Sequence, residues 1–243
     1  ESGRLLAQVF SMLDGFVAAG RSTLELDSAV EAFIRHELKA RPASLGQYDY
    51  PFSINTSVNE VVCHGMPSAT QVLKDGDIIN IDITLEKGGF IADSSKMYMI
   101  GNVAPKARRL VDMTFEAMWA GIRQVKPGAR LGDIGHAIQS HAQANGYSVV
   151  REYCGHGIGK QMHEEPQILH FGRPGTGLEL REGMVFTIEP MLNQGSAKVR
   201  SLKDGWTVVT KDNSLSAQWE HTVAVTDDGV EILTRLPGDD NDL

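Results

Sequence analysis

The sequence has only two cysteines, Cys63 and Cys154, among 243 residues. Two cysteines build no disulfide framework, so the chain suits a reducing compartment. No apolar run approaches the roughly 18 residues that a membrane span requires, and no signal peptide is visible. No block of lysine and arginine stands out, and the formal net charge is −8. A surface built for nucleic acid or an anionic membrane is therefore not indicated. No Ser-, Gly- or Pro-rich linker divides the chain, and only the closing PGDDNDL reads as a loose tail. The chain opens at Glu1, inside an amphipathic stretch and without an initiator methionine, so upstream residues are expected to have been removed. What remains is a globular composition, 42% hydrophobic and 22% charged, with length for one large domain or two small ones.

Periodicity and punctuation give a coarse element order. Arg4 to Ala19 reads as a helix stopped by Gly20. Ser22 or Thr23 caps a second helix to about Leu38, and Pro42 to Gly46 is a loop. Tyr50 to His64 reads as short strands and turns. The stretch DGDIINIDITLE, Asp75 to Glu86, alternates Ile79, Ile81, Ile83 and Leu85 with Asn80, Asp82 and Thr84, which predicts a strand. A turn at Lys87–Gly88–Gly89 leads to a partner strand, Phe90 to Ile100. Pro105 starts a helix to about Val125, ended by Pro127–Gly128, and Leu131 to Asn145 forms another. Strands are expected at about 148–154, 184–190, 206–210, 217–226 and 230–233.

The order is helix, helix, strands, and then the same again. Leu73–Lys74–Asp75–Gly76–Asp77–Ile78–Ile79–Asn80–Ile81–Asp82 aligns without a gap to Leu180–Arg181–Glu182–Gly183–Met184–Val185–Phe186–Thr187–Ile188–Glu189. The shared pattern is Leu, base, acid, Gly, any, apolar, apolar, polar, Ile, acid. It predicts a tandem duplication into α+β halves of about 1–103 and 104–243 within one domain.

Asp82 and Glu189 then become strand-centre acids at matching places. Two bare anions facing each other across a pseudo-two-fold would repel, or one would hold a proton; a hard divalent cation resolves the conflict. Asp93 in FIADSSKMYM is placed beside Asp82 by hairpin pairing, Glu220 lies in the apolar SAQWEHTVAV, and His156 sits between glycines that let its backbone approach a neighbour closely. Four carboxylates and one imidazole suffice for two metals with bridging carboxylates, and suit Mn²⁺, Fe²⁺ or Co²⁺ more than a thiolate zinc site. Taken singly, each acid also fits a solvent-facing strand position and His156 an ordinary hydrogen-bonded histidine. Cys63 beside His64, and Cys154 near His156, leave a thiol–imidazole nucleophile as an alternative. Gly155, Gly157 and Gly159 make only a weak dinucleotide-loop signal.

The motifs VNEVVCHG (58–65), LKDGDIINIDIT (73–84), ADSSKMY (92–98), YCGHGIGKQMHEEP (153–166), GMVFTIEPM (183–191) and KDGWTVVTKDNSLSAQWEHT (203–222) together resemble the type I methionine aminopeptidases. The resemblance runs over essentially the whole chain. It implies the α+β pita-bread (creatinase/aminopeptidase-like) fold, two pseudo-two-fold related halves with antiparallel sheet covered by helices. It implies that Asp82, Asp93, His156, Glu189 and Glu220 bind two divalent ions (Co²⁺, Mn²⁺, Fe²⁺ or Zn²⁺), with Asp93 and Glu220 bridging. The implied reaction is removal of the initiator methionine from nascent proteins and peptides. A metal-bridging hydroxide attacks the first peptide bond, His64 and His163 stabilise the oxyanion, and Glu189 shuttles a proton. The free N-terminal amine would sit at the second metal.

The resemblance also places Tyr50, Asn55, Met162 and Trp206 around the methionine side chain, with His64 and His163 beside them and Ser44 and Gln47 nearby. Asn59, Val61 and Ser216 match positions that hold a monovalent cation, Na⁺ or K⁺. It further implies a cytoplasmic monomer in transient contact with the ribosome, binding neither DNA nor membrane. Three positions depart from the usual pattern: Asn55 stands for Cys, Met162 for Phe and Gln47 for Tyr. Proline-specific peptidases of the same fold share the ligand scheme but carry an extra N-terminal domain and resemble these motifs less. A catalytically dead binding module would have lost ligands that are all present here. The type II branch carries a helical insertion that is not found.

Overall fold

The structure is a computed structural model that describes residues 1–236; the tail expected at PGDDNDL lies outside them. Four α-helices are described: α1 (Ser2–Asp14), α2 (Thr23–Ala32), α3 (Pro105–Ile122) and α4 (Leu131–Ala144). In the first half β1 is Arg41–Pro42, β2 Ile54–Val58, β3 Val61–Cys63, β4 Ile78–Lys87 and β5 Phe90–Met99. The second half adds β6 (Ser148–Val149), β7 (Gly155–Gly157), β8 (Glu164–Ile168), β9 (Val185–Ile188) and β10 (Met191–Asn193). It continues with β11 (Val199–Ser201), β12 (Val208–Thr210), β13 (Ser216–Gln218), β14 (His221–Val225) and β15 (Val230–Ile232). The strands form antiparallel sheets, chiefly β1–β4–β2 with β5 paired to β4, and β15–β14–β9–β7–β8.

Each half has a helix pair backing its sheet. Leu6, Val9, Phe10 and Leu13 of α1 recur at helical spacing and are buried. They join Leu26 and Val30 of α2 against Ile79, Ile81, Ile83 and Leu85 of β4. In the second half Leu110, Met118, Trp119, Ile134 and Ile138 pack with Phe186, Ile188 and Val223. With the odd-numbered face of β4 spent on the helices, the even-numbered face, Asn80, Asp82 and Thr84, turns to the middle of the molecule. Asn80 and Thr84 are only 2% exposed, so the half-exposed reading of this strand is excluded.

The aligned turns match in conformation. Gly76 and Gly183 both have positive φ, +92° and +86°, which glycine adopts without steric cost. Gly76 N–H donates to the Ile100 carbonyl and Gly183 N–H to that of Val225; Ile100 N–H returns to Asp77 and Val225 N–H to Met184.

Several boundaries differ from expectation. The first helix ends at Asp14, and the second gives way to a π-helical turn, Phe33–Glu37. Ser22 caps the second helix: its hydroxyl accepts from Glu25 N–H, and the Glu25 carboxylate accepts from Ser22 N–H. The strand expected at 148–154 is only β6, and the one at 217–226 breaks at Trp219–Glu220 into β13 and β14. β8 (EEPQI) and β11 (VRS) were not anticipated; both lie at sheet edges, where one row of partners is missing and apolar patterning is weak.

The β4–β5 hairpin sets how Asp93 sits beside Asp82. Its loop is the two residues Gly88–Gly89, both at positive φ, with Lys87 opposite Phe90. That register sets Asp93 opposite Thr84 and Asp82 opposite Ser95. Asp93 is therefore a diagonal neighbour of Asp82 on the same face.

Candidate metal centre

The central acids converge where the halves meet. Ser95 of β5 and Glu220 exchange backbone hydrogen bonds, and Ser94 Oγ donates to the Glu220 carbonyl at 2.7 Å. Asp93 N–H donates to Thr222 Oγ1 at 3.0 Å, whose hydroxyl returns to the Asp93 carbonyl. His156 Nε2 lies 3.8 Å from Asp93 Oδ2 and 3.5 Å from Glu189 Oε1. Asp93, His156 and Glu220 each offer a ligand atom within 4.8 Å of the other two. Asp82 and Glu189 adjoin that trio and line the same cavity, of about 460 Å³.

The electrostatics are those of an overcrowded anion cluster. Burial, then the neighbouring Asp93, pushes the Asp82 carboxyl well above the usual range. Asp93 is raised to about 7 by burial and by Glu189. Glu189 rises to about 8, by burial before the Asp82 charge. Glu220 rises well above its ordinary value through burial and the charges of Asp93, Glu189 and Asp82. Asp82 Oδ1 and Glu220 Oε1 are buried with no hydrogen-bond partner among the described residues. Unpartnered carboxylate oxygens buried among other acids are costly unless a cation satisfies them. The donor set, four carboxylates and one imidazole, fits hard divalent ions.

The imidazole is prepared as a ligand. His156 Nδ1 is 3.0 Å from the Gly157 carbonyl. A carbonyl only accepts, so Nδ1 carries the hydrogen and Nε2 presents its lone pair to the acids. Burial lowers the ring's pKa to about 4, keeping it neutral. The flanking glycines are required by close approach: a Cβ on Gly155 would lie 2.4 Å from the Thr187 carbonyl oxygen, and one on Gly157 2.2 Å from that of Glu165.

Neutral donors orient the carboxylates. Thr84 Oγ1 donates to Asp93 Oδ1 at 2.9 Å, Thr187 Oγ1 to Glu189 Oε1 at 2.8 Å, Gln218 Nε2 to Glu189 Oε2 at 3.3 Å and Asn55 Nδ2 to Asp82 Oδ2 at 3.3 Å. Sequence reasoning missed Thr187 and Gln218, although each stands two residues before an acid. It also missed His170, buried and held neutral, whose Nε2 accepts from Glu189 N–H at 3.2 Å.

His64 and His163 reach the same cavity. His64 has φ +54° and packs edge-on against Tyr153, centroids 5.4 Å apart; such left-handed backbone away from glycine stores strain. Burial lowers its pKa to about 4. The His163 ring meets His156 at 4.3 Å between centroids. Tyr48, which the sequence reading did not single out, stacks on His163 from the cavity rim.

The residues expected around a first side chain come together along one side of the cavity. Tyr50 and Trp206 meet edge-to-face at 4.9 Å, and Tyr50 Oη donates to the Ile54 carbonyl at 3.0 Å. Asn55, Met162, Ser44 and Gln47 line the cavity with them. Both cysteines line it too, yet burial raises both thiols, Cys63 well above its usual value. That opposes a thiolate nucleophile. Asn59 and Ser216 adjoin, Ser216 N–H donating to the Asn59 carbonyl at 3.0 Å, while Val61 lies on β3 opposite Val209.

Known proteins resemble this chain over most of its length. The profile of metallopeptidase family M24 matches residues 1–227. Methionine aminopeptidase of Escherichia coli (strain K12) is 53% identical over 233 residues, covering 96% of this chain and 88% of that protein. The crystal structure of methionine aminopeptidase from Rickettsia prowazekii superposes with a TM-score of 0.94 at 50% identity, covering 96% of this chain and 94% of the other. The prolidase from Pyrococcus horikoshii shares the fold, with a TM-score of 0.75 at 19% identity over 98% of this chain and 61% of its own.

Proposed function

We propose, from the premise that this chain belongs to metallopeptidase family M24 and removes N-terminal methionine in a metal-dependent reaction, that Asp82, Asp93, His156, Glu189 and Glu220 hold two divalent ions. The observation that carries the assignment is the buried carboxylate cluster, with Asp82 Oδ1 and Glu220 Oε1 unpartnered and His156 Nε2 turned toward it. Co²⁺, Mn²⁺, Fe²⁺ and Zn²⁺ all accept such donors, and availability decides among them. When bound, the ions supply Lewis acidity that makes water nucleophilic near neutral pH and polarises the first peptide carbonyl.

The chain's own groups do the rest. Tyr50, Trp206, Met162 and Asn55 receive the first side chain, whose thioether packs well on aromatic edges. His64 and His163 are held uncharged by burial. Each can therefore offer one N–H to the carbonyl oxygen as negative charge develops there. Glu189, oriented by Thr187 and Gln218, passes a proton from the attacking water to the leaving amine. Asn59, Val61 and Ser216 supply oxygens for one Na⁺ or K⁺.

The matching turns at Gly76 and Gly183 support a single catalytic domain built by duplication, with halves of about 1–103 and 104–243. No helix of the described residues is long and apolar enough to cross a membrane. The chain reads as a cytoplasmic monomer acting on nascent chains in transient contact with the ribosome, and its two free cysteines are compatible with a reducing compartment. The ligand assignment is tested with Asp82→Asn, assayed for methionine release from Met-Ala-Ser at saturating Mn²⁺. Loss of at least about 100-fold is expected, a few kcal/mol of transition-state stabilisation; preserved turnover overturns it.

A further inference from the structure

Asn55 touches two parts of the site at once. It stands on β2 directly opposite Asp82 of β4, and its Nδ2 is 3.3 Å from Asp82 Oδ2. The carboxylate fixes the amide's orientation, because an amide oxygen facing it would repel while the N–H₂ donates. The other oxygen of Asp82 is buried and has no partner among the described residues. The same Asn55 side chain lines the cavity beside Tyr50, Met162 and Trp206.

We propose that Asn55 is a positioning residue for the metal centre. By holding Asp82 Oδ2 from the pocket side, it fixes the carboxylate so that Oδ1 faces the cluster, and it thereby sets metal affinity. The proposal rests on the reading of Asp82 as a ligand and adds a role that a pocket-wall residue does not need. Partners that hydrogen-bond a ligand from outside the coordination shell commonly govern affinity by about 10- to 100-fold. Thr84 on Asp93, and Thr187 and Gln218 on Glu189, do for those acids what Asn55 does for Asp82. Asn55 differs from these in also meeting the substrate side chain, so one residue links methionine recognition to the ions.

The test is a Mn²⁺ titration by calorimetry on chelator-stripped protein, without substrate. Wild type is compared with Asn55→Leu, which keeps the shape and removes the donor, and with Asn55→Ala, which guards against a misfit of the leucine. KM and kcat for Met-Ala-Ser at saturating Mn²⁺ are read in parallel. The expected result is Mn²⁺ affinity weakened about 10- to 100-fold in both variants. Mn²⁺ affinity within about twofold of wild type in either folded variant, with only KM changed, overturns the proposal and leaves Asn55 a pocket-wall residue. Wild type that takes up no Mn²⁺ overturns the metal centre itself and this proposal with it.

Discussion

The ring of Tyr48 lies stacked on that of His163, with centroids 5.8 Å apart and planes inclined by 24°. Its hydroxyl is 3.5 Å from His163 Nδ1. Tyr48 is 66% exposed, and both it and Asp49 have positive φ, so a strained turn holds an aromatic ring over the site in contact with solvent.

If the stacking orients His163, Tyr48→Ala lowers kcat/KM by roughly 2- to 10-fold, the worth of an aromatic pair. Tyr48→Phe, which keeps the ring, stays close to wild type. Steady-state kinetics on Met-Ala-Ser read both; an equal loss in the two variants would assign the effect to the hydroxyl.

Metal uptake releases protons. Asp93 and Glu189 in the metal-free protein are raised to about 7 and about 8, and a ligand must be deprotonated to coordinate. Binding near pH 6.5 therefore displaces protons, and apparent affinity falls as pH is lowered. Calorimetry in buffers of different ionisation enthalpy counts the protons; heats independent of buffer would contradict the crowded-carboxylate picture.

Asp27 predicts a pH-dependent stability. It is 5% exposed on α2 and accepts from Ser53 N–H at 2.8 Å and Ile54 N–H at 3.1 Å, yet burial raises its carboxyl to about 6. The unfolded chain has the ordinary value near 4. The folded state thus binds the proton more tightly, and this contribution is full below about pH 4 and lost as pH rises through 6. Asp27→Asn keeps an acceptor and cannot ionise. Its midpoint of thermal unfolding relative to wild type should rise between pH 4 and 7; a constant difference across that range would rule out the shift.

The convergence of the candidate acids was more legible in the sequence than their surroundings were. Strand-centre acids break an apolar pattern, and the repeat around Gly76 and Gly183 singled out Asp82 and Glu189 without coordinates. That β4 is buried on both faces was not legible, because a polar face turned to a metal cluster has the same alternation as one turned to water. The register of Asp93 depended on whether Lys87 belonged to the turn, which the pattern Lys–Gly–Gly does not fix. Thr187 was within reach, since a residue two before Glu189 shares its side of the chain; Gln218 was not, because it meets Glu189 from a different strand. Tyr48 was not, because it meets His163 across 115 positions of sequence through a turn whose conformation leaves no periodic trace.

The central claim is a two-ion centre built from five named side chains. The most direct test measures bound Mn²⁺ per chain and methionine release from Met-Ala-Ser on the same samples as metal is restored to the stripped protein. The account predicts that uptake saturates at two ions per chain and that Glu220→Gln holds fewer and loses activity in step. Full uptake and full activity in Glu220→Gln, or methionine release by wild type that holds no metal, would contradict it.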